Sequence, residues 1–431
     1  MTKRIFISIF GIIVFVRCMA SHEFGDYIPY TAFYIAYIAV FGFLMILSGQ
    51  RIGLRVTTYK KVFILLFLYS VIWTFSNIKA LDYTDAIYTL QTSILMLLFT
   101  YITCYWIKRL NCLKESIVAI FVGLFTFMIL NFIIHIDELN IARAISNFWM
   151  TVSDKSYVIF GYKNNNLAGD CAAVVILLSL YILENKEIKL KNKKLILPFV
   201  DLIMVLVIIG NSSRSAMLML LIFFSIYLFW KLRNKVSAQK MIRGLIILGI
   251  ILFAGVIVYI RKKNNLVDFL YTINRYHFLR DFEALSNSGR WIMGLGNMSG
   301  QYFSAGHYMY GVRLNYLEPW YLNVFIKTGI VGSIWMMYIF KILFVALYRS
   351  FKRMDAVLGK CIVLAAVYML IISLFENYLF NSRITSNCLL IIVLTSVDVY
   401  YSGIETGKVK DNKIQVVTAK SNVIDKCIFK N

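Results

Sequence analysis

Long apolar runs alternate with short charged segments along almost the whole chain. Most runs hold about 16–22 residues, enough for a helix to cross a hydrocarbon core of about 30 Å. The pattern therefore predicts an all-α polytopic membrane protein with about twelve transmembrane helices. The predicted spans lie near residues 5–21, 30–48, 62–77, 86–107, 116–135, 166–183, 195–210, 215–230, 244–260, 321–347, 361–379 and 384–402.

Two polar segments between the runs, 136–165 and 261–320, are longer than the others. The second carries apolar residues at helical spacing from Leu266 to Phe282, which predicts a helix lying on the membrane surface. Beyond residue 402 the chain becomes polar and Lys-rich. We therefore expect one helical bundle over residues 1–402, with two external loops, and a cytoplasmic basic tail over 403–431.

The composition indicates a chain that needs lipid as its solvent. Hydrophobic residues make up 60% of the sequence and the mean hydropathy is +0.72, whereas soluble domains are about 45–50% apolar. The seven cysteines form no CxxC pair and no Cys/His cluster. The sequence thus predicts neither a disulfide framework nor a metal site, and it suggests no cofactor.

The net charge of +23 is explained by the loops in which the basic residues lie. With the N-terminus in the cytoplasm, cytoplasmic segments hold 29 of the 45 Lys and Arg residues, external segments hold 13, and Arg17, Lys327 and Lys341 fall inside spans. Every cytoplasmic loop is then basic, as the positive-inside rule requires. This distribution predicts that both termini are cytoplasmic and removes the need for a nucleic-acid partner.

Two arginines and two candidate bases lie on the predicted external side. Arg214 sits in the very short turn over 210–215, and Arg290 follows a Ser-Gly pair in the long loop. Arg214 either contacts lipid phosphates, pairs with an acid or binds a substrate. Arg290 is either an ordinary loop arginine or binds a substrate. Glu318 stands just before the tenth span, where it either caps a helix or accepts a proton. His307 is the other candidate base in this loop.

Three amides, Asn164 to Asn166, open the sixth span. They either cap that helix or hydrogen-bond sugar hydroxyls. Taken together, two external guanidiniums and a carboxylate suit a substrate that carries a diphosphate and a sugar. Arginine binds phosphate oxygens in a bidentate manner and keeps its charge in a poor dielectric.

Several short motifs in this order resemble the Wzy-type O-antigen and capsular polysaccharide polymerases, in the superfamily that also contains the O-antigen ligases. The motifs are GYKNNNLAG at 161–169, SRSA at 213–216, SGRW at 288–291 and EPWYLNVFIKTGIVG at 318–332. The resemblance covers about residues 160–335. The ligases carry a His-Asn pair where this chain has Glu318 and Pro319, which argues against a ligase. The Asn-rich motif lacks the Pro-Asn pair common in the group.

The resemblance implies a GT-C-like bundle with a long external loop between spans 9 and 10. It also implies a metal-independent, inverting glycosyltransferase that polymerises undecaprenyl-diphosphate-linked oligosaccharide repeat units on the external face of the bacterial cytoplasmic (inner) membrane. Its partners would be a lipid-linked donor and acceptor, the lipid bilayer and a chain-length regulator protein. Arg214 and Arg290 would bind the diphosphate, Glu318 or His307 would act as base, and Asn165, Tyr308 and Tyr310 would contact sugar rings.

Two alternatives remain open on the sequence. One is a ligase-type transferase of the same superfamily. The other is a lipid-linked glycan flippase or other secondary transporter, which fits the span count and the intramembrane Arg17. Against a transporter stand the lack of matching repeats, the lack of helices visibly broken by Gly or Pro, and the long external loop.

Overall fold

The protein is an α-helical bundle whose outer surface is apolar. The computed structural model describes residues 2–22, 27, 29–48, 58–75, 83–140, 142, 161–162, 165–211, 213–232, 285–294, 308–309, 312–313, 320–351, 353–376, 378–380 and 383–405. The predicted surface helix over 266–282 and the ninth span lie outside these ranges.

Eleven α-helices occur within the described ranges, and each coincides with one of the predicted apolar runs. They are α1 (Lys3–Cys18), α2 (Tyr30–Leu47), α3 (Thr58–Phe75), α4 (Tyr83–Arg109), α5 (Leu113–Ile134), α6 (Asn165–Glu184), α7 (Lys193–Gly210), α8 (Arg214–Leu232), α9 (Trp320–Phe351), α10 (Ala356–Ile372) and α11 (Ile384–Glu405). Two short strands, β1 (Tyr308–Met309) and β2 (Val312–Arg313), pair in antiparallel fashion.

Four of these helices contain segments long and apolar enough to cross a membrane, namely Leu90–Arg109, Leu113–Ile134, Asn166–Glu184 and Trp320–Phe351. Four more are shorter apolar helices, in α2, α8, α10 and α11. Large apolar side chains stand on the outer surface, where Ile46 and Leu195 are each 75% exposed. The chain is therefore a membrane-embedded helical protein, and the count of twelve spans stays a prediction.

Helices α6 and α11 lie at the centre of the bundle. Every residue of α11 from Ile384 to Asp398 is buried, and about four fifths of the apolar part of α6 is buried (78%). Helix α6 packs against α5, α7, α8 and α10, while α11 packs against α3, α4, α9 and α10. Polar residues on these two helices consequently face protein rather than lipid.

Ion pairs between lysines and carboxylates mark one end of the bundle, which we call the basic end. Four ion pairs lie there: Lys3–Glu115 (2.6 Å), Lys114–Glu187 (2.8 Å), Lys360–Glu184 (2.9 Å) and Lys108–Asp398. Helices α6, α8 and α11 begin at the opposite end, which we call the polar end. The arrangement agrees with the predicted segregation of basic loops to one side.

Helix α9 is broken at Gly329 and folds back on itself. Gly329 has φ 62° and ψ −158°, a conformation open essentially to glycine alone. The rings of Trp320 and Phe340 lie 5.7 Å apart, whereas twenty residues of continuous helix would separate them by about 30 Å. Residues 320–328 and 330–351 thus form a helical hairpin, where the sequence predicted one uninterrupted span over 321–347. The second half alone is about 33 Å long, enough to cross the membrane.

Candidate functional site

The break in α9 receives a segment of the long loop, residues 285–294, which we call the docking segment. At the break the amides of Ile330 and Val331 lose their helical acceptors and donate instead to the carbonyl oxygens of Trp291 (3.0 Å) and Ile292 (3.1 Å). The Trp73 indole N–H donates to the carbonyl oxygen of Thr328 (3.2 Å), on the other side of the break. Backbone groups exposed by the break are therefore satisfied by distant parts of the chain, as burial in a membrane requires.

Two glycines permit this close approach. A Cβ on Gly329 would lie 2.5 Å from the carbonyl oxygens of Trp291 and Ile292. A Cβ on Gly294 would lie 2.5 Å from the carbonyl oxygen of Lys327, and Gly294 also has a positive φ of 74°. Neither position accommodates a larger residue without moving the docking segment away from α9.

Side-chain packing supports the same contact. Leu285 is fully buried together with Ile326, and Leu322 and Phe325 pack against this pair. The Trp291 and Phe325 rings lie 6.1 Å apart. The docking segment is thus fixed to the first half of α9 by both backbone and apolar contacts.

Arg290 lies within the docking segment and is partly buried. Its backbone N–H donates to the Ser288 hydroxyl (3.4 Å), and its carbonyl oxygen accepts from the Gly294 N–H (2.7 Å). Ser288 in turn donates to the carbonyl oxygen of Leu285 (2.9 Å). These bonds form a compact turn, so the backbone of Arg290 is held against the break in α9.

Arg214 is the first residue of α8 and is partly buried at the polar end. The head of α8 lies against α6, because a Cβ on Gly169 would overlap the Ser213 hydroxyl and would come within 3.0 Å of the Ala216 Cβ. Arg214 therefore starts its helix beside the beginning of α6. Arg214 and Arg290 share the polar end of the bundle but are carried by different elements.

A buried polar network at the polar end links α6, α10 and α11. It consists of Asn166, Asp170, Tyr368, Glu376, Arg383 and Thr385. Asp170 is 3% exposed, and its carboxylate accepts hydrogen bonds from the Tyr368 and Thr385 hydroxyls. A buried carboxylate is costly unless such donors surround it, so these bonds position Asp170 and stabilise it within the bundle.

Glu376 forms the second half of this network. Its side chain is 5% exposed; it accepts from the Asn166 amide (2.6 Å) and the Arg383 guanidinium (3.1 Å). Burial lowers the pKa of Arg383, but the Glu376 and Asp170 carboxylates raise it more, so the pKa lies above its ordinary value. The guanidinium thus remains charged between two carboxylates.

The network also holds the start of α9. The Trp320 N–H donates to the carbonyl oxygens of Ser373 (2.9 Å) and Glu376 (3.2 Å), just beyond the end of α10. The Trp320 ring also contacts the Phe380 ring in a tilted arrangement, with the ring centres 5.9 Å apart. The start of α9 is thereby attached to the polar network.

Several of the predicted site residues fall outside the description. Glu318, His307 and Tyr310 lie outside the described residues. Asn165 opens α6 as expected, and Tyr308 pairs with Arg313 in the β1–β2 ladder, but the side chains of both lie outside the description. The predicted sugar-binding roles of these residues therefore stay predictions.

Sequence reasoning overlooked the polar network. Asp170, Glu376 and Arg383 lie in or beside apolar runs, and the Glu376–Asn166 bond joins residues 210 positions apart. The sequence did contain one indication of the network, because Asp170 and Glu376 are ionisable residues inside predicted spans. Such residues usually face the interior of a helical bundle. Arg17 follows the same rule: its guanidinium lies 4.5 Å from the centre of the Tyr34 ring.

Comparisons with known proteins add no family to this description. The chain matches no model of a known protein family. It also has no significant match among curated protein sequences. Any functional proposal therefore depends on the short motifs and on the geometry of the polar end.

Proposed function

We propose that the protein polymerises undecaprenyl-diphosphate-linked oligosaccharide repeat units by inverting glycosyl transfer at the polar end of the bundle. On this proposal the basic end faces the cytoplasm, the polar end faces outward, and the protein resides in the bacterial cytoplasmic membrane. A donor and an acceptor glycan, each on its own lipid diphosphate, would meet at the polar end, and a chain-length regulator would be a further partner.

The observation that carries the proposal is the docking of the Arg290 segment into the break of α9. A flexible loop arginine contributes little to catalysis, because its position must be fixed before charge develops on the leaving group. Here the Arg290 backbone is held by the amides of Ile330 and Val331 through its neighbours Trp291 and Ile292. That rigidity supports a role for Arg290 in stabilising a leaving diphosphate.

The remaining roles follow the chemistry of the reaction. Departure of a diphosphate places growing negative charge on its oxygens, which Arg290 and Arg214 would offset as the glycosidic bond stretches. Glu318 would accept the proton of the acceptor hydroxyl as that oxygen attacks the anomeric carbon from the opposite face. The proton moves to the carboxylate, the new C–O bond forms, and the electron pair of the old bond leaves with the diphosphate.

A transporter remains the second candidate, and one observation favours it. The sequence offered no helix visibly broken by glycine, but α9 is broken at Gly329. Broken helices are typical of the substrate sites of secondary transporters. The docking segment occupies the break here. This favours a rigid catalytic site over a helix that moves during transport.

The decisive test uses purified protein, synthetic undecaprenyl-diphosphate repeat units and a metal chelator. We expect a ladder of polymer on gels, lost in Arg214→Ala and Arg290→Ala and poorly restored by Lys at either position, because an ammonium cannot reproduce the bidentate fork. Arg353→Ala, an exposed arginine near the basic end, is the matched control and should polymerise normally.

Three other outcomes would count against the proposal. Normal polymer from both Arg→Lys variants would contradict the diphosphate roles. Inactivation of the parent protein by the chelator would contradict a metal-independent reaction. Movement of lipid-linked units across proteoliposome membranes without polymerisation would favour the transporter.

A further inference from the structure

The first half of α9 carries a cation that the proposed mechanism does not use. Lys327 is partly buried two residues before the break at Gly329. Among the described residues it forms no ion pair. Burying a lysine without a counter-charge is costly, so an unpaired and partly buried cation is a candidate functional residue.

A second polar group lies on the same face. Asn323 precedes Lys327 by four residues, which places the two side chains next to each other along the helix. Asn323 is only 7% exposed, and its side-chain oxygen has no hydrogen-bond partner among the described residues. The atom of Asn323 without a partner is an acceptor, so a ligand that satisfies both groups must offer a hydrogen-bond donor to Asn323 and a negative charge to Lys327.

The Arg290 segment lies directly beside this pair. Gly294 packs against the Lys327 carbonyl group, and its amide is bonded to the Arg290 carbonyl oxygen at 2.7 Å. The backbones of Arg290 and Lys327 are thus joined through a single glycine. Two cations on rigid, adjacent backbones form a better phosphate site than either residue alone.

We propose that Lys327 binds the phosphoryl oxygens of a lipid-linked diphosphate and that Asn323 accepts a hydrogen bond from a hydroxyl of the attached sugar, so that the two residues extend the Arg290 site along α9. The identity of the lipid as a prenyl diphosphate rests on the proposed function. The lysine supplies a point charge, and the Asn323 side-chain oxygen accepts a hydrogen bond without adding charge. The same phosphate chemistry occurs in phospholipid headgroups, which the test must therefore separate from a prenyl diphosphate.

The test measures the dissociation constants of undecaprenyl diphosphate and of phosphatidylglycerol for the purified full-length protein. Lys327→Gln should weaken diphosphate binding roughly 10- to 100-fold, the loss of one charge-assisted hydrogen bond. Lys327→Arg should keep most of the affinity. Lys341→Gln is the matched control, because Lys341 lies exposed on the second half of the same helix, and it should bind like the parent.

Three results would overturn the inference: unchanged diphosphate binding by Lys327→Gln, an equal loss in Lys341→Gln, or an equal loss of phosphatidylglycerol binding, which would make Lys327 a headgroup contact. If Lys327→Gln does not fold, Asn323→Asp provides the second test, because a carboxylate beside the lysine should also weaken diphosphate binding. Unchanged binding by that variant would likewise overturn it. Lys327-dependent binding without any polymer formation would refute the proposed function while leaving this site intact.

Discussion

The rings of Trp320 and Phe340 lie 5.7 Å apart at an interplanar angle of 78°, although both belong to one helical run. The contact exists only because the chain reverses at Gly329. The reversal leaves amides that the docking segment satisfies, and it brings the start of α9 down to the end of α10. The first contact holds the Arg290 backbone in place, and the second fixes the start of α9.

The hairpin predicts a crosslink that a straight helix forbids. Cysteines at positions 320 and 340, in a background without the native cysteines, should react with one short bismaleimide. A pair at 330 and 340, both on the second half of α9, should not, because ten helical residues span about 15 Å. Mass spectrometry of the reacted protein distinguishes the two. Absence of the 320–340 product in a folded protein would refute the hairpin.

Gly329→Ala should release the docking segment. The new side chain meets both the positive φ, worth about 1–3 kcal/mol, and the carbonyl oxygens of Trp291 and Ile292. Gly289→Ala is the matched control, since Gly289 shares the positive φ of 64° but a Cβ there meets nothing within 4 Å.

The readout for this pair is crosslinking between cysteines at 291 and 325, where the native rings lie 6.1 Å apart. Crosslinking should fall in Gly329→Ala and persist in Gly289→Ala. Equal crosslinking in both variants would show that the break does not hold the segment.

The Glu376–Arg383 pair should contribute strongly to stability. Arg383→Ala leaves two buried carboxylates without their cation, and breaking such a pair typically costs about 3–5 kcal/mol. The double variant Glu376→Gln/Arg383→Gln should recover part of the loss, because it removes both charges. Thermal unfolding in detergent measures the difference. A double variant less stable than Arg383→Ala would show that the hydrogen bonds matter more than the charge balance.

Cysteine labelling tests the orientation of the bundle. A cysteine at Asn287, an exposed position of the docking segment, should react with an impermeant maleimide added from outside. A cysteine at Arg353, exposed near the basic end, should react only after the membrane is opened. The expectation follows from the positive-inside distribution of Lys and Arg. The reverse pattern would contradict both the orientation and the external location of the site.

Glu318→Gln separates catalysis from helix capping. If Glu318 is the base, the amide should lower the polymerisation rate about 10²–10⁴-fold, with lipid-linked repeat units accumulating and expression unchanged. If it only caps α9, the loss should be about 2 kcal/mol of stability or less, and polymer should still form. A variant that polymerises at the parental rate would remove Glu318 from the mechanism and make His307 the next candidate.

The helices could be predicted from the sequence because a helix in lipid is recognised by the hydrophobicity of its own residues, without reference to distant parts of the chain. A span needs about twenty apolar residues, and its backbone hydrogen bonds are all made within the segment. The predicted runs at 30–48 and 384–402 therefore nearly coincide with α2 (Tyr30–Leu47) and α11 (Ile384–Glu405). The eleventh predicted run extends to residue 379, but α10 ends at Ile372, because Glu376 and its neighbours turn inward to the polar network.

Tertiary contacts determine the break in α9 and the partners of the buried polar groups, neither of which the hydrophobic periodicity shows. Residues 321–347 are continuously apolar, and only the docking of Trp291 and Ile292 onto Ile330 and Val331 makes a reversal at Gly329 favourable. The Glu376 partners show the same limit: Arg383 is near in sequence, but Asn166 lies 210 residues away. Local hydrophobicity determines where a helix forms in lipid, whereas the pairing of buried polar groups depends on which helices become neighbours.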